Sequence, residues 1–209
     1  MSARPKVFCI GFQKTGTTSL HAALTRLGYR TVAVVGRDWT AERLAKDGAA
    51  LCIATARDHD AAEDMPWPVF FRELDAAYPG SKFILTVRSE DRWFASIEKH
   101  FGDRANEMQA FIYGGDAAAP AGNRARYLDV YAKHERDVRA HFADRPNDLL
   151  VMNLEAGDAW PMLCDFLGAP IPREPFPVRN RSADRERFGF RLRRKVGRIF
   201  GRYLAPEQI

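Results

Sequence analysis

The sequence predicts an α/β fold, a three-layer sandwich built on a central, mostly parallel sheet. Three observations carry that prediction. Short apolar runs alternate with segments of helical periodicity from Lys6 to Leu167. A glycine loop joins the first apolar run to the first helical one. The 209 residues are 46% hydrophobic, enough to bury a substantial core, yet no run nears the roughly 18 apolar residues that span a bilayer. Strands separated by helices pair in parallel with helices on both faces, and ligands of such sheets lie beyond the carboxyl ends of the strands.

Taken in order, residues 6–10 predict the first strand and 17–27 the helix after the loop. The β-branched run from Tyr29 to Val35 suits a buried strand. Thr40 to Lys46 reads as a helix, capped by Thr40 or Asp38 and stopped by Gly48. Leu51 to Ala56 fits a helix or a strand. Residues 67–78 form an amphipathic helix ended by Pro79-Gly80, followed by a strand at 82–87 and a helix from Asp91 to His100. Gly114-Gly115 and Ala117-Ala118-Ala119-Pro120 mark 101–120 as a mobile connector. Gly122 to Ala143 reads as a long helix, Asp148 to Asn153 as a strand, and Ala159 to Leu167 as a helix closed by Gly168.

The loop is the chemically informative stretch. It runs Gly11-Phe12-Gln13-Lys14-Thr15-Gly16-Thr17-Thr18-Ser19 between a strand and a helix. Such turns leave backbone N–H groups aimed at one point, with the positive end of the helix dipole behind them. Gly11 and Gly16 allow close backbone approach, and the Thr17, Thr18 and Ser19 hydroxyls can donate to an anion. A nucleoside-triphosphate loop reads G-x-x-x-x-G-K-S/T. Here Thr17 holds the lysine's place and Lys14 lies inside the loop, so the fold is P-loop-like but the bond addressed differs from a γ-phosphate bond.

Gln13-Lys14-Thr15-Gly16-Thr17-Thr18-Ser19 resembles the 5'-phosphosulfate loop of sulfotransferases, typically K-S/T-G-T-T. Those enzymes take 3'-phosphoadenosine 5'-phosphosulfate (PAPS) as donor. Their second signature, an arginine ending a later strand with a serine eight positions on, holds the donor's 3'-phosphate. Arg88 after Lys82–Val87, with Ser96 following, matches it in spacing and context. The resemblance implies PAPS as co-substrate, adenosine 3',5'-bisphosphate as product, a hydroxyl or amine acceptor and no metal. Cofactor-binding residues carried over are Gln13, Lys14, Thr15, Gly16, Thr17, Thr18, Ser19, Arg88 and Ser96.

In that chemistry, negative charge builds on the oxygen bridging phosphorus and sulfur, where a cation lowers the barrier; Lys14 takes this role. An acceptor hydroxyl also needs a base. Cytosolic members of the family use the histidine of a His-x-Pro element, and Asp64-Met65-Pro66 stands at a comparable place. Asp64 is therefore the first candidate, with His59, Asp60 and Glu63 as alternatives, and with burial beside Met65 and Trp67 able to raise its pKa. Asp64 also suits the cap of a helix starting near Pro66. The sequence departs from the cytosolic enzymes in lacking that histidine and their glycine- and lysine-rich C-terminal donor motif, although Arg179-Asn180-Arg181 is a candidate to close over the 3'-phosphate.

Two rivals belong to other classes. A small-molecule kinase using ATP and Mg²⁺ would need a metal-binding Asp at a strand end and a lysine after Gly16, and the sequence has neither. A non-catalytic nucleotide-binding protein at a membrane surface would use the tail instead. Cys9, Cys52 and Cys164 lack metal-ligand spacing and read as structural thiols of a reducing, cytoplasmic compartment.

The net charge of +5 is unevenly spread, since Arg179 to Arg202 holds ten basic residues against Asp184 and Glu186. The sequence divides into a domain at 1–180 and a basic tail at 181–209, part of that domain or appended to it. Phe188, Leu192, Val196, Ile199 and Tyr203 share one helical arc beside an arginine-rich one, a basic amphipathic helix. It docks on the body or touches an anionic membrane, such as the inner surface of the cell membrane. No nucleic-acid motif accompanies the charge. The acceptor, whether small molecule, lipid or glycan, has no code in the sequence.

Overall fold

The computed structural model describes residues 4–157 and 159–178. The predicted tail at 181–209 and the Arg179-Asn180-Arg181 element lie outside them. Five strands, β1 (Val7–Cys9), β2 (Thr31–Val32), β3 (Ala61–Ala62), β4 (Lys82–Thr86) and β5 (Leu149–Met152), form one sheet in the order β2-β3-β1-β4-β5, every neighbouring pair parallel. The chain moves outward from β1 to β2, returns to β3, then crosses over β1 to β4. That reversal beside β1 is where a parallel sheet opens a crevice at its carboxyl edge.

The strands alternate faces, as a period of two requires. Val7, Cys9, Ala61, Ile84 and Met152 bury against α1 (Thr17–Arg26) and α7 (Ala159–Leu167). Phe8, Ile10, Ala62, Phe83 and Leu85 bury on the opposite face against α2 (Ala41–Ala56), α3 (Phe71–Ala77) and α6 (Arg124–His141). A third apolar cluster packs Phe12 and Met65 with aromatic residues of α4 (Glu90–Phe101), α5 (Glu107–Tyr113) and α6. This layered α/β arrangement is the one the sequence predicts. No helix among the described residues is long and apolar enough to cross a membrane.

Several elements differ from expectation, each for a physical reason. The strand expected at Tyr29–Val35 is only Thr31–Val32, and the Ala33 carbonyl beyond it accepts from Trp67 Nε1 at 2.7 Å. Strand β3 consists of two alanines, too short to produce an alternating pattern. The helix expected at 67–78 starts as a 3₁₀ turn over Trp67–Phe70, with Pro68 in it, before α3. The expected mobile connector contains a packed helix, α5, capped by Asn106 accepting from Gln109 N at 3.0 Å. Tyr113 in it is fully buried and stacks on Tyr127 at 3.7 Å between ring centres.

Thr40 caps α2 as expected, its hydroxyl accepting from Arg43 N at 3.2 Å. Gly48, however, does not stop that helix, which runs through to Ala56. A Cβ on Gly48 would lie 2.6 Å from Cζ of the buried Phe70 ring, so this glycine makes room for an aromatic. Alanine at 48 would add up to about 1 kcal/mol of helix propensity but overpack the contact at a cost of about 1–3 kcal/mol. Gly48→Ala is therefore expected to lower the melting temperature by a few degrees, and thermal melts should show the penalty shrinking when Phe70→Leu is added.

Candidate active site

The loop from Gly11 to Gly16 leaves β1 pressed against the end of β4. A Cβ on Gly11 would fall 2.0 Å from Thr86 Oγ1, so only glycine fits. Thr15 Oγ1 donates to the Phe12 carbonyl at 2.6 Å and lies 2.6 Å from Thr86 Oγ1, folding the loop back on itself. Lys14 has φ 71° and Gly16, the residue before α1, has φ 110°. The amides of Gly16 and Thr17 find no backbone acceptor among the described residues, and the first turn of α1 contains no acidic residue. An anion placed there would meet free N–H donors and the positive end of the helix.

Aromatic side chains brace the loop from behind. Trp93 Nε1 of α4 donates to the Gln13 carbonyl at 3.0 Å, and Gln13 Nε2 donates to the Tyr113 hydroxyl at 3.3 Å. His134 of α6 stacks on Phe12 and donates from Nε2 to the Ile10 carbonyl at 2.7 Å. Burial lowers the His134 pKa to about 4, which keeps the ring neutral and its other nitrogen unprotonated at pH 7. The sequence reading missed these supports. Tyr127, Tyr131 and His134 recur at helical spacing in α6, and that stripe was the available sign of a buried face turned toward the loop.

The acids group at the carboxyl end of β3. Glu63 and Asp64 follow that strand directly, on the same edge as the loop. His59 and Asp60 precede it: Lys6 Nζ donates to the His59 carbonyl at 2.9 Å, and Asp60 accepts from Arg30 N at 2.9 Å. The two lie at the opposite, amino edge and cannot serve chemistry at the loop. Asp64 is half-buried with φ 69°, and its Oδ1 accepts from Met65 N at 2.9 Å. That bond reaches only the next residue and caps no helix, so the expected capping role is not what the structure contains. Burial raises the Asp64 pKa, opposed by Met65 N–H and the charges of Lys14 and Arg37.

Arg88 follows β4 and reaches toward the loop. Its Nη1 donates to the Lys14 carbonyl at 3.4 Å, and its Nη2 pairs with Glu155 Oε1, from the turn after β5, at 2.6 Å. Its Nε is buried without a hydrogen-bond partner. Tyr131 fixes the backbone, its hydroxyl accepting from Arg88 N at 3.0 Å and donating to Arg88 O at 3.1 Å. Arg88 thus pairs across the sheet edge with a residue from the turn after β5. Ser96 lies half-buried in the second turn of α4. Leu154, next to Glu155, contacts Gly16, where a Cβ would fall 2.6 Å from its Cδ1.

A cavity of about 320 Å³ opens between the start of α4 and α6, lined by Arg88, Glu90, Tyr131, Glu135, Arg136 and Arg139. It includes Arg88 but no loop residue. No group of three or more His, Cys, Asp and Glu residues suited to a metal occurs among the described residues. Cys9, Cys52 and Cys164 are buried free thiols, with burial pushing each pKa up, as structural cysteines should be.

Since Trp93 supplies the donor to a buried loop carbonyl, Trp93→Phe leaves that carbonyl unpaired at a cost of about 1–3 kcal/mol. Chemical denaturation should register this loss, and Trp93→Phe should weaken anion binding at the loop more than an equally destabilising change on α7.

Comparison with known proteins accords with this geometry. A family model described as "Sulfotransferase domain" matches residues 6–118 and 105–185. A curated relative, "Ava biosynthesis cluster protein M" of Aspergillus versicolor, is 28% identical over 210 aligned positions, covering 82% of this chain and 79% of the relative. The family match spans the sheet, the loop, the acids after β3 and the Arg88–Ser96 segment, and the chain belongs to the sulfotransferase domain family.

Proposed function

We propose that this protein transfers a sulfuryl group from PAPS to a hydroxyl or amine of a small-molecule acceptor by in-line displacement. One observation carries the reading. Among the described residues, Lys14 and Asp64 are the non-glycine residues with positive φ, at 71° and 69°. They stand at the ends of neighbouring strands, and the charge of one acts on the other. Such backbone positions cost on the order of 1–3 kcal/mol and gather where side-chain placement matters more than stability.

The residues present suit the donor. The free amides of Gly16 and Thr17 with the Thr17, Thr18 and Ser19 side chains form a cradle for the 5'-phosphosulfate, and the unpartnered Arg88 Nε supports a 3'-phosphate site with Ser96. The donor supplies an activated sulfur–oxygen bond. Lys14 neutralises charge on the phosphate oxygen that departs with the bonding pair, while Asp64 takes the proton of the acceptor oxygen as its bond to sulfur forms. The raised pKa of Asp64 makes it a better base than an exposed aspartate, with the Met65 N–H and the charges of Lys14 and Arg37 opposing the rise. Lys14, not a bound metal, is the cation in this reading.

The relative's name, which mentions a biosynthesis cluster, favours a small molecule over a lipid or glycan as acceptor. Cytoplasmic residence follows from the three free thiols in the same reading, with the 181–209 tail available to touch an anionic membrane surface.

Adenosine 3',5'-bisphosphate at 100 times its dissociation constant should add about 2.7 kcal/mol of stability, a melting shift of about 5–10 °C, in metal-free buffer. Arg88→Ala should reduce this shift to that given by adenosine 5'-monophosphate. A shift obtained only with ATP and Mg²⁺ would support a kinase instead. Asp64→Asn should retain bisphosphate binding but cut sulfuryl transfer by about 10²-fold or more. Wild-type transfer should fall as pH drops through the Asp64 pKa, above the ordinary aspartate value of 3.8, and the asparagine variant should lose this acid limb. Unchanged transfer in Asp64→Asn would remove the assignment of the base.

A further inference from the structure

Glu63, beside Asp64, has a different environment. It is 4% exposed, and its Oε1 lies 3.3 Å from His21 Nδ1 of α1. The Thr17 side chain, also of α1, donates to the same carboxyl group, while Oε2 is buried without a hydrogen-bond partner. Its orientation follows from β3. Glu63 shares the parity of Ala61, which packs on the α1 face, whereas Ala62 packs on the other. The Glu63 N–H donates to the Val32 carbonyl at 3.0 Å, so strand pairing holds it there.

Thr17 is both the first residue of α1 and a member of the anion cradle. Its hydroxyl has one proton to give. If Glu63 is ionised, the carboxylate claims that proton and sets a negative charge at the amino end of α1, whose own first turn has no acid. If Glu63 is protonated, its own O–H can be given to Thr17 Oγ1 or to His21 Nδ1. Thr17 then remains free to donate to a bound anion. We propose that Glu63 is a positioning residue that carries a proton for the anion site, its neutral form holding Thr17 from behind and its ionised form opposing anion binding. This rests on the reading of the loop as the phosphosulfate cradle.

The surroundings agree with a carboxyl that is neutral at pH 7. Burial first, and the neighbouring Asp64 second, push the Glu63 pKa up to about 8, against the Thr17 hydrogen bond. Burial lowers that of His21, so the two groups meet as neutral partners rather than as an ion pair. The groups facing Glu63 are Thr17 and His21 from α1, Cys9 from β1, Asp64 on its own strand end and the Val32 carbonyl of β2. The Cys9 thiol is held far above its ordinary value by burial and by the Glu63 charge, and titrates outside the range near 8. The proton also has a route to solvent. His21 Nε2 lies 3.0 Å from Thr31 Oγ1, which lies 3.0 Å from Oγ1 of the exposed Thr25.

Isothermal titration of the full chain with adenosine 3',5'-bisphosphate, between pH 6.5 and 9 in two buffers of different ionisation enthalpy, tests this. In the wild type, affinity should weaken about tenfold from pH 7 to pH 9, the linkage expected of one group near 8 whose ionised form does not bind. Binding at pH 9 should take up close to one proton, and at pH 6.5 none. Glu63→Gln, neutral throughout and able to donate to Thr17, should bind as the wild type does at pH 7, with no decline and no proton uptake at pH 9. A pH-independent wild-type affinity would overturn the proposal without reference to any variant, as would a decline shared by Glu63→Gln. Absence of bisphosphate binding at every pH would instead overturn the reading of the loop as a donor site.

Discussion

Gly11 and Thr86 meet where β1 and β4 end, and the geometry of the carboxyl edge depends on how closely they pass. The space a Cβ would need at Gly11 is filled by Thr86 Oγ1 and the Thr86 backbone. Because these strands touch there, the loop after β1 turns back across β4, and Arg88 emerges within reach of the Lys14 carbonyl. The Thr15–Thr86 hydroxyl contact fastens the same junction. Two residues that the chain separates by 74 positions thus come within hydrogen-bond reach. A parallel sheet with its reversal beside β1 makes this arrangement available, and the glycine makes it tight.

The electrostatics of that edge come from placing like charges in unlike settings. Glu63 and Asp64 are consecutive, but strand parity turns Glu63 inward to α1 and leaves Asp64 half-exposed near Lys14 and Arg37. Burial raises both pKa values, and the cations hold only Asp64 back. The two adjacent carboxyls therefore meet different partners, Asp64 the cations and Glu63 the Thr17 hydroxyl and His21. Arg88, by contrast, is held at its backbone by the Tyr131 hydroxyl and at its guanidinium by the Glu155 carboxylate.

What was legible in the sequence was what is local. The loop from Gly11 to Ser19 and the Arg88–Ser96 pair are short-range spacings, and the strand, loop and helix around them lie where those spacings put them. The continuation of α2 through Gly48 was not legible, because its cause, the Phe70 ring, lies 22 residues away. Helix α5 looked like a connector because its stability comes from Phe111 on Phe70 and Tyr113 on Tyr127 rather than from its own periodicity. His59 and Asp60 stood as alternatives behind Asp64, and β3 separates them from it. Two alanines give no strand pattern, yet those two residues separate the amino edge from the carboxyl edge and decide which acid can reach the loop.

The claim on which the rest turns is that one nucleotide spans the loop and Arg88. A crystal structure of the protein with adenosine 3',5'-bisphosphate tests it most directly. The account predicts the 5'-phosphate on the amides of Gly16 and Thr17 beside Lys14, with the 3'-phosphate on Arg88 and Ser96 in place of the Glu155 carboxylate. A 3'-phosphate lying in solvent, with Arg88 still paired to Glu155, would contradict it.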